Sequence, residues 1–130
     1  MAKNPRLEDV LGPLGAAVVR EVLARREASV ADVVDGLRRG GGRPYAYTTI
    51  MTVMSRLHER GVLERERHGR HYVYRPAAPE AEIIDHLSRV AVEQLVDRFG
   101  TAALRHFAVK LADLDPETRR RLADVAGGPE

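Results

Sequence analysis

Three helical patterns in succession, a hairpin with a basic turn, and a long helical stretch with an apolar stripe predict a mostly α chain with one small β-hairpin. In that order they describe an N-terminal winged helix-turn-helix over residues 1–78 and a C-terminal helical dimerisation arm over residues 79–130.

The first helix is expected between about Leu7 and Arg26, because Val10, Leu11, Leu14, Val18, Val22 and Leu23 recur every three or four residues. Gly12, Pro13 and Gly15 interrupt it, and Pro13 suits a first turn. Ser29 is placed to cap a second helix carrying Val30, Val33, Val34 and Leu37, with Asp32 in its first turn near the positive end of the dipole. The loop 38–44, reading RRGGGRP, ends that helix.

The third helix carries Tyr47, Ile50, Met51, Met54 and Leu57 on what the wheel makes its core face. That leaves Thr49, Thr52 and Arg56 outward, flanked by Thr48, Ser55 and Arg60, with Gly61 closing the helix. Strands over 62–67 and 71–75 follow, joined through His68-Gly69-Arg70, where the glycine accommodates a positive φ. Tyr72 and Tyr74 fall on one side of the second strand and are read as core packing rather than as stacking on bases.

From Glu80 a long helix bears Ile83, Ile84, Leu87, Val90, Ala91, Leu95 and Val96, and Gly100 ends it. Ala103, Leu104, Phe107 and Leu111 mark another helix, and Asp115-Pro116 opens a last one with Leu122 and Val125, followed by a GGPE tail expected to fray. These faces have no globular core of their own. Ile84, Leu87, Ala91, Leu95, Leu104, Phe107 and Leu111 are therefore expected to bury against a second copy as a homodimer.

Composition narrows the function. Of 130 residues 44% are hydrophobic, enough for one modest core, and the absence of cysteine excludes disulfides and thiolate metal sites. No run reaches transmembrane length and the first residues lack the apolar centre of a signal peptide, so a cytoplasmic protein without direct membrane insertion is expected. Residues 1–78 hold 14 Lys and Arg against 9 Asp and Glu, whereas residues 79–130 hold 7 against 10. A net +5 half and a net −3 half suggest one half facing nucleic acid and one facing a protein partner.

Double-stranded DNA is the partner the third helix suits. Thr48, Thr49 and Thr52 are short enough to let it sit deep in a major groove, and Arg56 reaches a guanine edge or a phosphate. Arg67 and Arg70, with His68 and His71, place the hairpin turn by the backbone, and Arg43 reaches phosphate from the preceding loop. The rival reading is a winged helix that binds another protein through the same threonines. Other chemistry lacks support: His68 and His71 have no third ligand in sequence, Gly40-Gly41-Gly42-Arg43 lacks the Lys-Ser/Thr ending of a phosphate loop, and no nucleophile motif is present. We expect no enzyme activity, metal or cofactor. Arg119-Arg120-Arg121 reads as a solvated helix face.

These residues resemble the penicillinase and methicillin-resistance repressors, the BlaI/MecI family. The likeness runs through Leu11-Gly12-Pro13-Leu14, Ala17-Val18-Val19 and Val22-Leu23. It continues in Ala46-Tyr47-Thr48-Thr49-Ile50-Met51-Thr52-Val53, Arg56-Leu57, Gly61, Gly69-Arg70 and the run from Tyr72 to Pro76. It implies a homodimeric transcriptional repressor on an inverted-repeat operator in a promoter. In relatives of the antibiotic-resistance type a membrane sensor-protease system signals cleavage of the arm at an Asn-Phe bond. The nearest counterpart here is His106-Phe107, with histidine in the asparagine position, and Phe107 is read in preference as a dimer contact. Copper-sensing relatives carry a cysteine cluster that this chain lacks. Gly15 and Ala24 stand where the family has Glu and Trp, a change expected to bear on core packing more than on DNA reading.

Overall fold

The first helix is broken where its glycine and proline fall. In the computed structural model, which describes residues 4–126 and the side chains through residue 124, α1 spans Leu7–Arg25 but leaves helical geometry at Gly12 (φ 77°, ψ 169°). Gly12 takes a conformation that a Cβ disfavours, and Pro13, which has no N–H to leave unpaired, opens the longer segment. The GGPE tail and the Val125 side chain, for which expectations were stated above, lie outside the described residues.

Helix α2 (Val30–Arg39) begins on a reciprocal cap. The Ser29 hydroxyl accepts from the Asp32 N–H at 3.1 Å, and the Asp32 carboxylate accepts from the Ser29 N–H at 3.0 Å, which holds the Asp32 pKa below its ordinary range. Arg38 and Arg39 belong to the last turn of α2 rather than to the loop, each paired with Asp35 one turn back. Helix α3 (Tyr47–Glu59) ends in a Schellman closure: the Gly61 N–H donates to His58 O at 3.0 Å and the Val62 N–H to Leu57 O at 2.9 Å. Gly61 supplies the positive φ of 78° that this closure needs, while Val62 and Leu57 bury the accompanying apolar contact.

Strands β1 (Leu63–His68) and β2 (His71–Pro76) pair antiparallel, with His68 opposite His71 and Gly69-Arg70 as a two-residue turn. Only Gly69 of that pair has a positive φ, 64°, as at the first position of a type II′ turn. A third, single-residue strand joins them. Ala28, between α1 and α2, exchanges both backbone hydrogen bonds with Tyr74, at 2.9 and 2.8 Å.

The core lies where α1, α2 and α3 meet the hairpin: Val18, Val19, Val22, Val33, Ile50, Met54, Val62, Leu63 and Tyr74 are buried together. Two sequence expectations are corrected here. Tyr47 and Met51, assigned to the core face of α3, are 48% and 43% exposed; Ile50, Met54 and Leu57 are buried, with Val53 packed beside them. The buried arc of α3 is narrower and turned toward Val53, which packs against the core. Ala24 is exposed and Gly15 half-buried, so the departures from the family pattern at these positions leave the buried core untouched.

Helices α4 (Glu80–Phe99), α5 (Thr101–Ala112) and α6 (Pro116–Ala126) complete the chain. Gly100, at φ 56°, separates α4 from α5, and the Asp115 carboxylate accepts from the Thr118 N–H and hydroxyl to open α6. Close packing groups Pro5–Leu87 as one compact unit, with a second from Ser88 onward. Leu87 is 4% exposed and joins the winged-helix core with Ile83, while Ile84 packs against it. Both Leu87 and Ile84 were expected on the dimer face. The apolar stripe of α4 is continuous in sequence, but its first two turns are used inside the subunit.

Arg20 also ties the start of α4 to α1, reaching Glu80 at 3.8 Å while holding Glu8 through two bonds of 2.9 and 2.7 Å. That hydrogen bonding pulls the Glu8 carboxyl from 4.5 down to about 2. A folded-state pKa below the unfolded one stabilises the fold fully above about pH 4.5, and this contribution is lost as pH falls toward 2. Denaturant titrations across that window should show a shallower acid loss in Glu8→Gln than in the parent chain. Leu87→Ala should cost about 2–5 kcal/mol in the same assay, because it empties a packed core position.

Candidate nucleic-acid interface

The surface that α3 leaves uncovered consists of two adjacent ridges of residues four apart. Tyr47, Met51 and Ser55 form one, Thr48, Thr52 and Arg56 the other, and Thr49 stands exposed beside them. The Thr52 hydroxyl donates to Thr48 O at 3.0 Å, so its hydrogen is satisfied within the helix and its oxygen remains able to accept. The first turn of α3 has no acidic side chain, and Ala46 provides no side-chain cap. Its leading N–H groups and the positive end of its dipole therefore suit an anion such as phosphate.

Strand alternation makes the hairpin two-faced. Arg65 and Arg67 lie with Tyr72 and Tyr74 on one face, and Glu64, Glu66 and Arg75 on the other. On the first, the Arg65 guanidinium sits 4.1 Å from the centre of the Tyr72 ring and donates to the Tyr74 hydroxyl at 3.5 Å. The two tyrosines meet edge to face with ring centres 6.2 Å apart. Tyr74 is 2% exposed, as expected of a core residue; Tyr72 is half-buried at its edge. On the opposite face Arg75 bridges Glu66 at 2.9 Å and Glu27 at 3.3 Å, and His68 lies 3.9 Å from Glu66.

The two surfaces meet. Met51, Thr52, Ser55 and Arg56 of α3 line a groove with Arg65 and Tyr72 of the hairpin, and Glu59 closes its far end. Arg56 also lines a second groove on the other flank of α3, against Gly12 and Pro13 of the α1 break, so it stands on the crest between them.

Charge pairing separates the arginines of this unit into two populations. Arg6, Arg20, Arg25, Arg38, Arg39 and Arg75 are each held by a carboxylate. Arg26, Arg43, Arg56, Arg60, Arg65, Arg67 and Arg70 make no ion pair among the described residues, and all but Arg65 are exposed. Arg67 donates only to Gly69 O, at 3.1 Å, which folds it along the turn. Five of these seven lie on α3, at its end or on the hairpin; Arg43 lies in the loop before α3, and Arg26 just after α1. Guanidinium groups left without carboxylates along one helix and its neighbouring hairpin are what a polyanion needs.

The structure thus brings together Thr52 and Arg56 with the hairpin, sets Thr48 and Thr49 on the exposed side of α3, and leaves Arg43, Arg67 and Arg70 in exposed positions on the loop and hairpin. Sequence reading missed Arg65, Tyr47 and Met51. Arg65 was detectable from its register opposite Tyr74, which places it on the tyrosine side of the ladder. Tyr47 and Met51 look like core residues until it is known which flank of α3 the hairpin covers. His68 and His71 are cross-strand neighbours, and no cluster of three or more His, Cys, Asp or Glu able to hold a metal occurs among the described residues.

A family model described as the penicillinase repressor matches residues 11–126 of this chain. The transcriptional regulator BlaI of Mycobacterium tuberculosis, in strains CDC 1551 / Oshkosh and ATCC 25618 / H37Rv, is 34% identical over 131 aligned positions, covering 98% of this chain and 91% of the relative. The match takes in the α1 break, α3, the hairpin and all three C-terminal helices. Replacing Arg70 by Ala should leave thermal stability unchanged, since the side chain is exposed and unpaired. The slope of log affinity for duplex DNA against log salt concentration should become shallower by about one unit.

Proposed function

The chain belongs to the penicillinase repressor family and is a DNA-binding transcriptional repressor, and on that premise we propose that it acts as a homodimer on an inverted-repeat operator. In this reading α3 enters the major groove, with Thr48, Thr49, Thr52 and Arg56 toward the bases and adjacent phosphates. Arg67 and Arg70 of the hairpin turn, and Arg43 of the loop before α3, anchor the backbone on either side. The observation that carries it is the group of carboxylate-free arginines Arg56, Arg60, Arg65, Arg67 and Arg70 on α3 and the hairpin, beside the paired arginines of α1 and α2.

Dimerisation is supported by what the C-terminal helices leave uncovered. Among the described residues from Ser88 onward no side chain is buried, and α5 contains none at all. Leu95, Phe99, Leu104, Phe107 and Leu111 are exposed, and Leu95, Phe99 and Phe107 line one apolar groove with Ala102 and Ala103. Side chains of this size on a helical segment lacking its own core bury best against a second copy. With Leu87 and Ile84 assigned to the winged-helix core, the dimer face comprises Ala91, Leu95, Leu104, Phe107 and Leu111. Two copies joined there deliver two reading helices at once, and losing one half-site removes the effective concentration it provides.

The His106-Phe107 bond, counterpart of the bond cleaved in inducible relatives, lies inside α5, and Phe107 is 37% exposed. In the dimer Phe107 is an interface residue, and a sensor-protease system that relieved repression there must first unwind α5 to present an extended backbone. No helix among the described residues is long and apolar enough to cross a membrane. In this reading the repressor works on its promoter in the cytoplasm.

Leu104→Asp tests the dimer without touching the winged-helix core, because Leu104 is 55% exposed. Sedimentation should show monomers, and affinity for a two-half-site duplex should fall at least tenfold while a single half-site is bound as before. Dimers that persist in Leu104→Asp and Phe107→Asp alike would move the interface elsewhere.

A further inference from the structure

We infer that Met51, with Tyr47 one turn before it, reads the 5-methyl groups of thymines in the operator, so that sequence choice rests on apolar contacts as well as on hydrogen bonds. The inference rests on α3 being the helix that enters the groove. Met51 and Tyr47 are 43% and 48% exposed, although Ile50 and Met54 of the same helix are fully buried. They stand four residues apart, so their side chains lie along one ridge, directly beside the Thr48–Thr52 ridge.

The polar chemistry of that ridge is already partly spent. Thr52 donates its hydroxyl hydrogen to Thr48 O, so that hydroxyl is no longer free to donate to a base. The exposed surface of the first two turns of α3 thus sets a thioether and a phenol beside three threonines, each with a methyl. In a major groove the one apolar feature that distinguishes a base pair is the thymine methyl. Charge fixes which part of the helix approaches the bases. The first turn has no carboxylate, whereas Glu59 in the last turn closes the groove and would face the phosphates if that end went in first. Met51 sits in the second turn, between the favourable end and Arg56.

The test uses the full chain and duplexes that it selects from a random pool. Each thymine of a selected half-site is replaced by deoxyuridine, which removes the methyl and nothing else. The parent chain should lose about fourfold in affinity at a contacted position, the equivalent of returning one methyl group to water. Met51→Ala, and as a second variant Met51→Gln, should lose less than twofold at that position, with unchanged thermal midpoints and unchanged affinity for random duplex. Selected duplexes that are bound tightly yet are blind to every thymine-to-deoxyuridine change overturn the inference and leave the repressor reading standing. So does a methyl response that is equal in the parent chain and both variants. If no preferred sequence emerges from the pool, the reading of α3 itself fails and the inference falls with it.

Discussion

Tyr74 is the residue on which the presentation of this surface depends. Its backbone is bonded on one side to Ala28 and lies in the ladder opposite Arg65 on the other, while its ring is buried in the core. A two-stranded hairpin is marginal by itself in water. Here a single extra backbone pair couples it to the junction of α1 and α2, and Arg75 reinforces the same junction through Glu27. The hairpin is thereby fixed relative to α3, and the groove between them acquires a defined wall in Tyr72 and Arg65.

Two kinds of cation coexist on this unit, and their separation follows from local sequence. On α1 and α2 the carboxylates fall three or four residues from arginines and neutralise them, as in Glu21 with Arg25 and Asp35 with Arg39. On α3 the one carboxylate, Glu59, makes no ion pair with Arg56, and the hairpin acids Glu64 and Glu66 fall on the face opposite Arg65 and Arg67. A formal charge of only +2 for the chain therefore coexists with a locally unopposed basic surface. That surface is where the family's DNA-binding function resides in our account.

Much of the scaffold was legible because its signals are local. Ser29 with Asp32, Gly61 after Leu57, Gly69 at the hairpin turn and Asp115 before Pro116 each specify a cap or turn within a few residues, and each behaves as its chemistry requires. What was not legible depends on distant neighbours. The Ala28–Tyr74 bridge has no periodicity to reveal it. The assignment of Tyr47 and Met51 turns on which flank of α3 the hairpin covers, and that of Leu87 on where along α4 the core ends. A hydrophobic wheel reports that a residue is apolar, and only the tertiary structure reports what, if anything, lies over it.

The most direct measurement is the structure of the full chain bound to a duplex that it selects. The account predicts Thr48, Met51, Thr52 and Arg56 within contact distance of base edges in one major groove, with Gly69-Arg70 against the flanking phosphates and a second copy repeating the arrangement on the other half-site. A complex in which the exposed ridges of α3 face solvent, with the duplex held by another surface, would contradict it.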